Sequence, residues 1–381
     1  MPHPLENLLG QCGGPCTYTN FKEITKILAL AIKFQPPFGK SILNTEQDYY
    51  NDHGIDHFER VENNFFEIIS KSNITLNCCE LLLALLSIWF HDIGLFLGRK
   101  SEEDPVQGRK EHYRRVRDVI NQLEESGNIA QMDNAQKELL ISICEGHSRK
   151  VDQLTINEIV EWNGETVRPQ MLSSILRVAD ALDIEKRRAP ESIFDLFGES
   201  IPFRSKEHWE KHFMISGIKI NPNYSSVDVF VFLNKFEIKT LINQYLVLDW
   251  VGKEILNEIE SVEQIFDKNQ IPIHNIRFLD GSTGNKIGID SNPSGLTINT
   301  SENCLSEKKL EEFTKILTEN SGDVEITLKV TLNDQSVLVI NLPSDFSIQH
   351  NEIVYSKLQD IFSPPEMDTL IIPKRGGMIK K

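Results

Sequence analysis

The chain has 381 residues, of which 40% are hydrophobic and 25% charged, and its formal net charge at pH 7 is −16. This length is enough for two or three domains, each with its own hydrophobic core. The negative charge argues against a broad surface for duplex DNA, which would need a basic face, although a local basic groove is still allowed.

The N-terminal residues, the longest apolar run and the cysteines together predict an intracellular protein. The first residues lack both the basic flank and the long apolar core of a secretory signal. The longest apolar run, Leu81 to Phe90, is about half of a membrane span. The six cysteines follow no recognised disulfide or zinc-site spacing, so we expect reduced thiols. The sequence therefore predicts a cytoplasmic protein without a membrane partner.

Helical periodicity dominates the chain from about residue 20 to residue 188. Apolar residues recur at helical spacing in each segment, and Pro169 is well placed to open the last helix. The predicted helices are residues 22–34, 56–69, 78–90, 111–124, 135–144 and 169–182.

After residue 212 the pattern becomes mixed. Two β-rich runs, 213–220 and 227–233, flank a turn and predict a β-hairpin, and a helix follows at about 239–266. Residues 279–301 are rich in Gly, Ser and Asn, which is typical of a linker. Predicted elements then follow in the order helix 306–318, strand 324–330, strand 337–340, helix 351–362 and strand 369–372, before a basic tail.

These patterns predict a mainly α protein with three parts. A helical domain would cover residues 1–275 and carry the hairpin at about 213–233. A linker would cover residues 276–301, and a small α/β domain with the basic tail would cover residues 302–381. We interpret the last domain as a module for homo-oligomerisation or for binding a protein partner.

Histidines and aspartates accompany the apolar stripes of the successive predicted helices. His91 and Asp92 directly follow the longest apolar run, where an imidazole and a carboxylate need something to offset their desolvation. A metal ion does so by direct coordination. A helical bundle can point all such side chains into one interior. The other candidates on neighbouring helices are His57, His112, His147 and Asp180.

The series His57, His91-Asp92 and Asp180 resembles the signature of the HD-domain metal-dependent phosphohydrolases. The resemblance includes the opening H-x-x-R-V at residues 57–61 and the closing A-D-x-L-D at residues 179–183, and it covers about residues 51–190. It implies an all-helical core in which a first metal is bound by these four side chains. Two-metal members of the superfamily place further ligands where His112 and His147 stand, which implies that Asp92 bridges to a second metal.

Two departures limit what the resemblance implies about the substrate. Leu95 stands where cyclic-dinucleotide phosphodiesterases carry a lysine, and Leu95-Phe96 replace the acidic pair of alarmone hydrolases. Neither specialised substrate is therefore carried over. Two neighbours of the ligands stay open: Asp183 is the alternative fourth ligand, and His53 is interpreted as a helix-start residue or a partner of a ligand.

The residue types fit phosphate chemistry. Imidazoles and carboxylates suit two divalent ions of Mn²⁺, Fe²⁺, Co²⁺, Ni²⁺ or Zn²⁺, with Mg²⁺ less favoured. Two ions about 3.5–4 Å apart clamp a phosphate and lower the pKa of a shared water, so that a bridging hydroxide attacks phosphorus. The predicted catalytic residues are Asp92, Arg60, Arg149 and Lys150. The predicted substrate-binding residues are Arg99, Arg109, Arg177 and Arg188.

We therefore predict a metal-dependent phosphohydrolase that cleaves a phosphoester or phosphoanhydride of a nucleotide. An HD-type nuclease or phosphodiesterase acting on single-stranded nucleic acid is the alternative with the same site. Two further alternatives are a non-catalytic nucleotide-sensing module and, more distantly, a di-iron oxygenase. The resemblance to HD-containing conflict proteins further implies a role in antiviral defence.

Overall fold

The structure, a computed structural model, describes residues 4–12, 55–95, 111–127, 129, 131–188, 212–234, 238–287, 296–349, 351–362 and 370–371. The chain forms two compact units, Met1–Phe230 with Gly252–Arg277, and Val231–Val251 with Phe278–Lys381. The described elements are mainly helices with small sheets, which confirms the predicted fold class. The predicted helix at 22–34, His53 and the basic tail lie outside the described residues.

Helices form the core of the first unit. α2 packs against α6, α3 packs against α5, and α5 also contacts α6. The described helices with residues in this unit are α1 (Pro4–Leu9), α2 (Ile55–Lys71), α3 (Cys78–Phe90), α4 (Val116–Glu125), α5 (Asn134–Glu145), α6 (Pro169–Ala181), α7 (Ile238–Glu260) and α8 (Glu263–Lys268). The first residues of α7, up to Val251, belong to the second unit.

Helix α3 is the most deeply buried of these helices. Asn77 caps its N-terminus, and Glu80 completes a capping box by accepting the Asn77 backbone N–H. The segment Cys78–Leu95 has the length and hydropathy of a membrane span, but 89% of it is buried within the protein. Among the described residues it is the one segment of this kind, and its burial is that of a helix in the core of a folded domain.

Helix α1 docks on α2 and α3 and closes one side of the bundle. Leu5 and Leu9 are fully buried. The buried carboxylate of Glu62 accepts hydrogen bonds from the backbone N–H groups of Leu5 (3.0 Å) and Glu6 (3.4 Å). This carboxylate thereby satisfies amide groups that the first turn of a helix leaves without partners.

A disulfide fixes the same contact, because Cys12 and Cys78 are bonded with their Cα atoms 5.7 Å apart. The predicted reduced state is therefore wrong for these two cysteines. The pairing depends on how α1 docks, which the spacing of cysteines in the sequence does not reveal. Among the described residues, Cys144 and Cys304 are free thiols.

A two-stranded hairpin that was not predicted from the sequence precedes α6. It consists of β1 (Val160–Trp162) and β2 (Glu165–Val167), which pair antiparallel. Asn163 and Gly164 connect the strands with φ angles of 52° and 78°. An Asn-Gly pair is the preferred sequence for such a two-residue turn.

The second sheet contains the predicted hairpin. It has three strands in the order β3 (Ile215–Asn221), β4 (Ser226–Val231) and β5 (Asn275–Asp280). The four residues between β3 and β4 are too few for a parallel crossover, so these strands form a hairpin. β5 overlaps the start of the segment predicted as a linker.

The second unit contains a four-stranded sheet with two helices. Its strand order is β10-β6-β8-β9, in which β6 and β8 are parallel. Phe313 and Phe362 contact each other in the core with ring centroids 4.9 Å apart. Its elements after β5 are β6 (Leu296–Ser301), α9 (Glu307–Glu319), β7 (Ser321–Val324), β8 (Ile326–Thr331), β9 (Val337–Asn341), α10 (Glu352–Phe362) and β10 (Leu370–Ile371).

Strand β6 lies at the end of the predicted linker. Leu296 and Ile298 are buried in the core of the second unit. The strand also carries Thr297, Asn299 and Thr300, and this polar composition hides its alternation in the sequence. Pairing with β8 along its whole length makes it a structural strand.

Candidate metal centre

The six side chains predicted as ligands come together in the first unit. His91 and Asp92 follow the last residue of α3, His147 lies two residues after α5, and Asp180 lies in the last turn of α6. Three helices thus direct their C-terminal ends at one place. Because a helix C-terminus carries partial negative charge, this arrangement favours a cation there. The remaining two are His57, in the first turn of α2, and His112, in a 3-10 segment.

The first group of possible ligands is built from His57, His91 and Asp92, whose donor atoms all lie within 4.8 Å of one another. The Nε2 atoms of the two histidines are 3.3 Å apart. Each of them lies 3.6 Å from Oδ2 of Asp92. Asp180 joins them, with Oδ1 3.4 Å from Nε2 of His57 and 3.8 Å from Nε2 of His91.

The second group shares Asp92 and adds His112 and His147. Oδ1 of Asp92 lies 3.1 Å from Nε2 of His112 and 3.6 Å from Nε2 of His147. The two histidine Nε2 atoms are 2.9 Å apart. Asp92 therefore presents one carboxylate oxygen to each group, as a carboxylate that bridges two metal ions would.

The tautomers of the rings fit cation binding. Nδ1 of His91 donates to the carbonyl oxygen of Ile88 at 2.8 Å, and Nδ1 of His147 donates to the carbonyl of Cys144. A carbonyl oxygen can only accept, so the proton of each neutral ring is on Nδ1 and Nε2 carries a lone pair. Lone pairs and carboxylate oxygens that converge in this way repel one another unless a cation lies among them. The donor set therefore fits divalent metal ions.

The pKa values of three of these ligands are shifted by burial and by the charges of their neighbours. Burial lowers the pKa of His91, but the carboxylates of Asp92 and Asp180 outweigh it and raise this pKa to about 9. Burial, together with the charges of His91 and His112, lowers the pKa of His147 to about 3. Burial favours the protonated form of Asp180, yet the attraction of His91 and His57 leaves its pKa below the ordinary value.

Two glycines allow the backbone to approach closely beside the ligands. A Cβ on Gly94 would lie 2.1 Å from the carbonyl oxygen of His112. A Cβ on Gly146 would lie 2.0 Å from the hydroxyl of Ser173, on α6. No role was predicted for either glycine, although each lies within two residues of a predicted ligand.

Asp183, the alternative fourth ligand, lies on the opposite side of the His57 ring. Its Oδ2 is 2.6 Å from Nδ1 of His57, whereas Asp180 approaches Nε2. Arg60 donates from Nε to Oδ1 of Asp183 at 2.6 Å, and Arg188 donates to the Asp183 carbonyl at 2.7 Å. Burial raises the pKa of Asp183, but the charges of Arg188 and His57 reverse this effect and lower it.

The predicted substrate-binding residue Arg177 contacts the loop that follows His147. Its side chain is buried and donates to the carbonyl oxygens of Gly146 (3.0 Å), Ser148 and Val151 (2.7 Å). These bonds hold the loop in place and, through it, His147.

Arg149 and Lys150 lie on the same loop and are more accessible, with side chains 59% and 44% exposed. Arg149 pairs with the buried Glu258 of α7, a partner that the sequence analysis did not identify. Lys150 donates to Glu111 at 2.5 Å, which links the loop after His147 to the segment of His112. The other two predicted substrate-binding residues, Arg99 and Arg109, lie outside the described residues.

The centre is accessible mainly at two of its ligands. The side chain of Asp180 is 26% exposed and that of His112 is 15% exposed. His57 and His91 are fully buried, and Asp92 and His147 are each 5% exposed. Asp180 and His112 are therefore the ligands that solvent reaches most readily.

A family model matches this part of the chain. Residues 47–261 match the HD-CE family, an HD-domain family, and the match spans more than half of the chain. The chain belongs to this family, which confirms the resemblance predicted from the HD signature. Together with the histidine and aspartate groups, membership indicates an HD-type metal-dependent hydrolase. No curated protein and no solved structure matches the chain.

Proposed function

We propose that this protein is an HD-type phosphohydrolase that cleaves a phosphoester or phosphoanhydride bond of a nucleotide. The observation that carries the proposal is the position of Asp92, whose two oxygens face two different pairs of histidines. A carboxylate whose two oxygens face two different groups of ligands fits a pair of divalent ions. Four imidazoles favour Mn²⁺, Fe²⁺, Co²⁺, Ni²⁺ or Zn²⁺ over Mg²⁺.

Two such ions, when bound, supply positive charge to the phosphate oxygens and a water that is deprotonated near neutral pH. The protein's own residues hold and orient the reactants. Arg149 and Lys150 place two positive charges on the loop after His147, and both side chains reach solvent. Such cations pair with phosphate oxygens and stabilise the negative charge of a phosphoryl transition state.

The decisive experiment compares the wild type with Asp92→Ala. We expect the variant to lose bound metal and turnover together, because Asp92 belongs to both groups of ligands. Asp118→Ala, which removes an exposed carboxylate from α4, is the matched control and should keep both. Turnover that survives in Asp92→Ala would contradict the proposal.

The substrate class is tested by incubating the protein with Mn²⁺ and a panel of nucleoside mono-, di- and triphosphates, with a labelled single-stranded oligonucleotide in parallel. Release of phosphate or pyrophosphate from a nucleotide supports the proposal. Cleavage of the oligonucleotide alone would instead indicate a nuclease. Tight nucleotide binding without hydrolysis would indicate a sensing module.

A further inference from the structure

We infer that Asp183 is a positioning residue of the metal centre, which fixes the His57 ring so that Nε2 faces the first group of ligands; this inference rests on the proposed metal-dependent function. Asp183 acts on His57 through Nδ1, the ring nitrogen that does not face the other ligands.

The contact between Asp183 and His57 is short and fully enclosed. Oδ2 of Asp183 lies 2.6 Å from Nδ1 of His57, and the two side chains are 1% and 0% exposed. An ionised carboxylate only accepts, so this bond requires a proton on Nδ1 and leaves the lone pair of a neutral ring on Nε2. A partner of this kind sets both the tautomer and the rotation of a metal-binding histidine.

Two arginines in turn hold the carboxylate of Asp183. Arg60 lies one helical turn after His57 on α2 and donates to both carboxylate oxygens, from Nε to Oδ1 at 2.6 Å and from Nη2 to Oδ2 at 3.1 Å. Arg188 donates to the Asp183 carbonyl at 2.7 Å, and the same Nη1 lies 3.7 Å from Oδ2. A carboxylate bound at both oxygens and at its own carbonyl has little freedom to turn.

This network also gives a structural role to two arginines that were predicted to contact the substrate. Arg60 was predicted to act on the substrate and Arg188 to bind it, but in the structure both engage Asp183. Their side chains are 10% and 13% exposed, so neither extends freely toward a ligand. Their charge balances Asp183, which in turn orients His57.

The test is Asp183→Asn, which keeps the shape of the side chain but cannot balance two guanidinium groups. We expect its affinity for Mn²⁺, measured by competition with a chromophoric chelator, to fall about 10- to 100-fold. Asp56→Asn, which changes an exposed carboxylate beside His57 on the same helix, is the control and should bind Mn²⁺ as the wild type does. Unchanged affinity in Asp183→Asn would overturn the inference.

A second measurement needs neither turnover nor a stable variant. Nitrogen-15 NMR of the imidazole groups in the chelator-treated wild type should show a proton on Nδ1 of His57. A ring protonated on Nε2 alone would overturn the inference. A purely structural Asp183 would lower the melting temperature in Asp183→Asn without changing the His57 tautomer, so the same spectrum recorded on this variant separates the two roles.

Failure of the inference and failure of the proposed function give different results. A wild-type protein that binds Mn²⁺ but hydrolyses no nucleotide contradicts the function, while the affinity and tautomer measurements still decide the role of Asp183. Conversely, an Asp183→Asn variant with normal metal affinity and normal turnover contradicts only the inference.

Discussion

The Nε2 atoms of His112 and His147 lie 2.9 Å apart, and both face Oδ1 of Asp92. The two rings are held differently. His147 is anchored by its bond to the carbonyl of Cys144 at the end of α5, whereas His112 comes from a short 3-10 segment and is partly exposed. Of these two histidines, His112 is therefore the one that can be removed with less disturbance of the core.

We expect His112→Ala to lower the metal content from about two ions per chain to about one, because the first group of ligands stays complete. Elemental analysis of the purified protein after dialysis measures this directly. His274→Ala, which removes a partly exposed histidine outside the centre, is the control. Unchanged metal content in His112→Ala would contradict the assignment of two ions.

Gly94→Ala should disturb the same ligand without removing it. The added Cβ would lie 2.1 Å from the His112 carbonyl oxygen, so the backbone that carries the ring has to move. We expect turnover and affinity for the second ion to fall about 10- to 100-fold, as for other changes that misplace a ligand. Gly217→Ala on β3, where the nearest atom would be 3.8 Å from the new Cβ, is the matched control. Equal activity of the two variants would contradict this prediction.

Metal binding should release a proton from His91. Burial lowers the pKa of this histidine, but Asp92 and Asp180 raise it from 6.5 to about 9. Between these two pH values, the folded metal-free protein holds a proton that the unfolded chain does not hold. An incoming ion must displace this proton, so the apparent metal affinity rises with pH toward about 9.

Calorimetric titration with Mn²⁺ at pH 7.5, in two buffers of different ionisation enthalpy, should report release of about one proton. The same linkage predicts that chelator-treated protein melts at a lower temperature at pH 9 than at pH 6.5, because the stabilising proton on His91 is lost as pH rises. Heats of binding that do not depend on the buffer would contradict the role of His91.

Removal of the Cys12–Cys78 disulfide should destabilise the first unit. The bond closes a sequence separation of 66 residues, and loss of a native disulfide of this kind lowers the free energy of unfolding by about 2–4 kcal/mol. The double variant Cys12→Ser with Cys78→Ser, unfolded in guanidinium chloride under non-reducing conditions, measures this effect. Cys304→Ser is the control, since Cys304 is a free thiol. A double variant as stable as the wild type would show that the bond contributes nothing.

Much of the fold could be predicted because its helices are long and periodic. α3 begins and ends at the predicted residues, Cys78 and Phe90, since its apolar run is bounded by a cap and by His91-Asp92. Short elements were missed where local composition suggested a loop. The turn at Asn163-Gly164 is the clearest example, because this pair signals a hairpin even between strands of three residues.

The candidate site was also predicted in part: its ligands were predicted, but the partners of its basic residues were not. Four of the six possible ligands follow from the HD signature and the other two, His112 and His147, from the likeness to its two-metal members, and the structure brings all six together. The partners of the basic residues could not be predicted, because they depend on packing between distant segments. Arg149 pairs with Glu258, which is 109 positions away, and Arg60 pairs with Asp183, which is 123 positions away. Such pairs follow no sequence spacing.

The docking of α1 on Glu62 sets a limit on how far the chain can be shortened at its start. A fragment beginning after residue 12 would lose the two buried leucines, Leu5 and Leu9, and the two amides that bind this carboxylate. Loss of a hydrogen bond to a charged group costs about 1.5–3 kcal/mol, and the apolar contacts of the two leucines are lost as well. Expression trials that trim this end for crystallisation are therefore expected to yield less soluble material than those that keep residues 4–12.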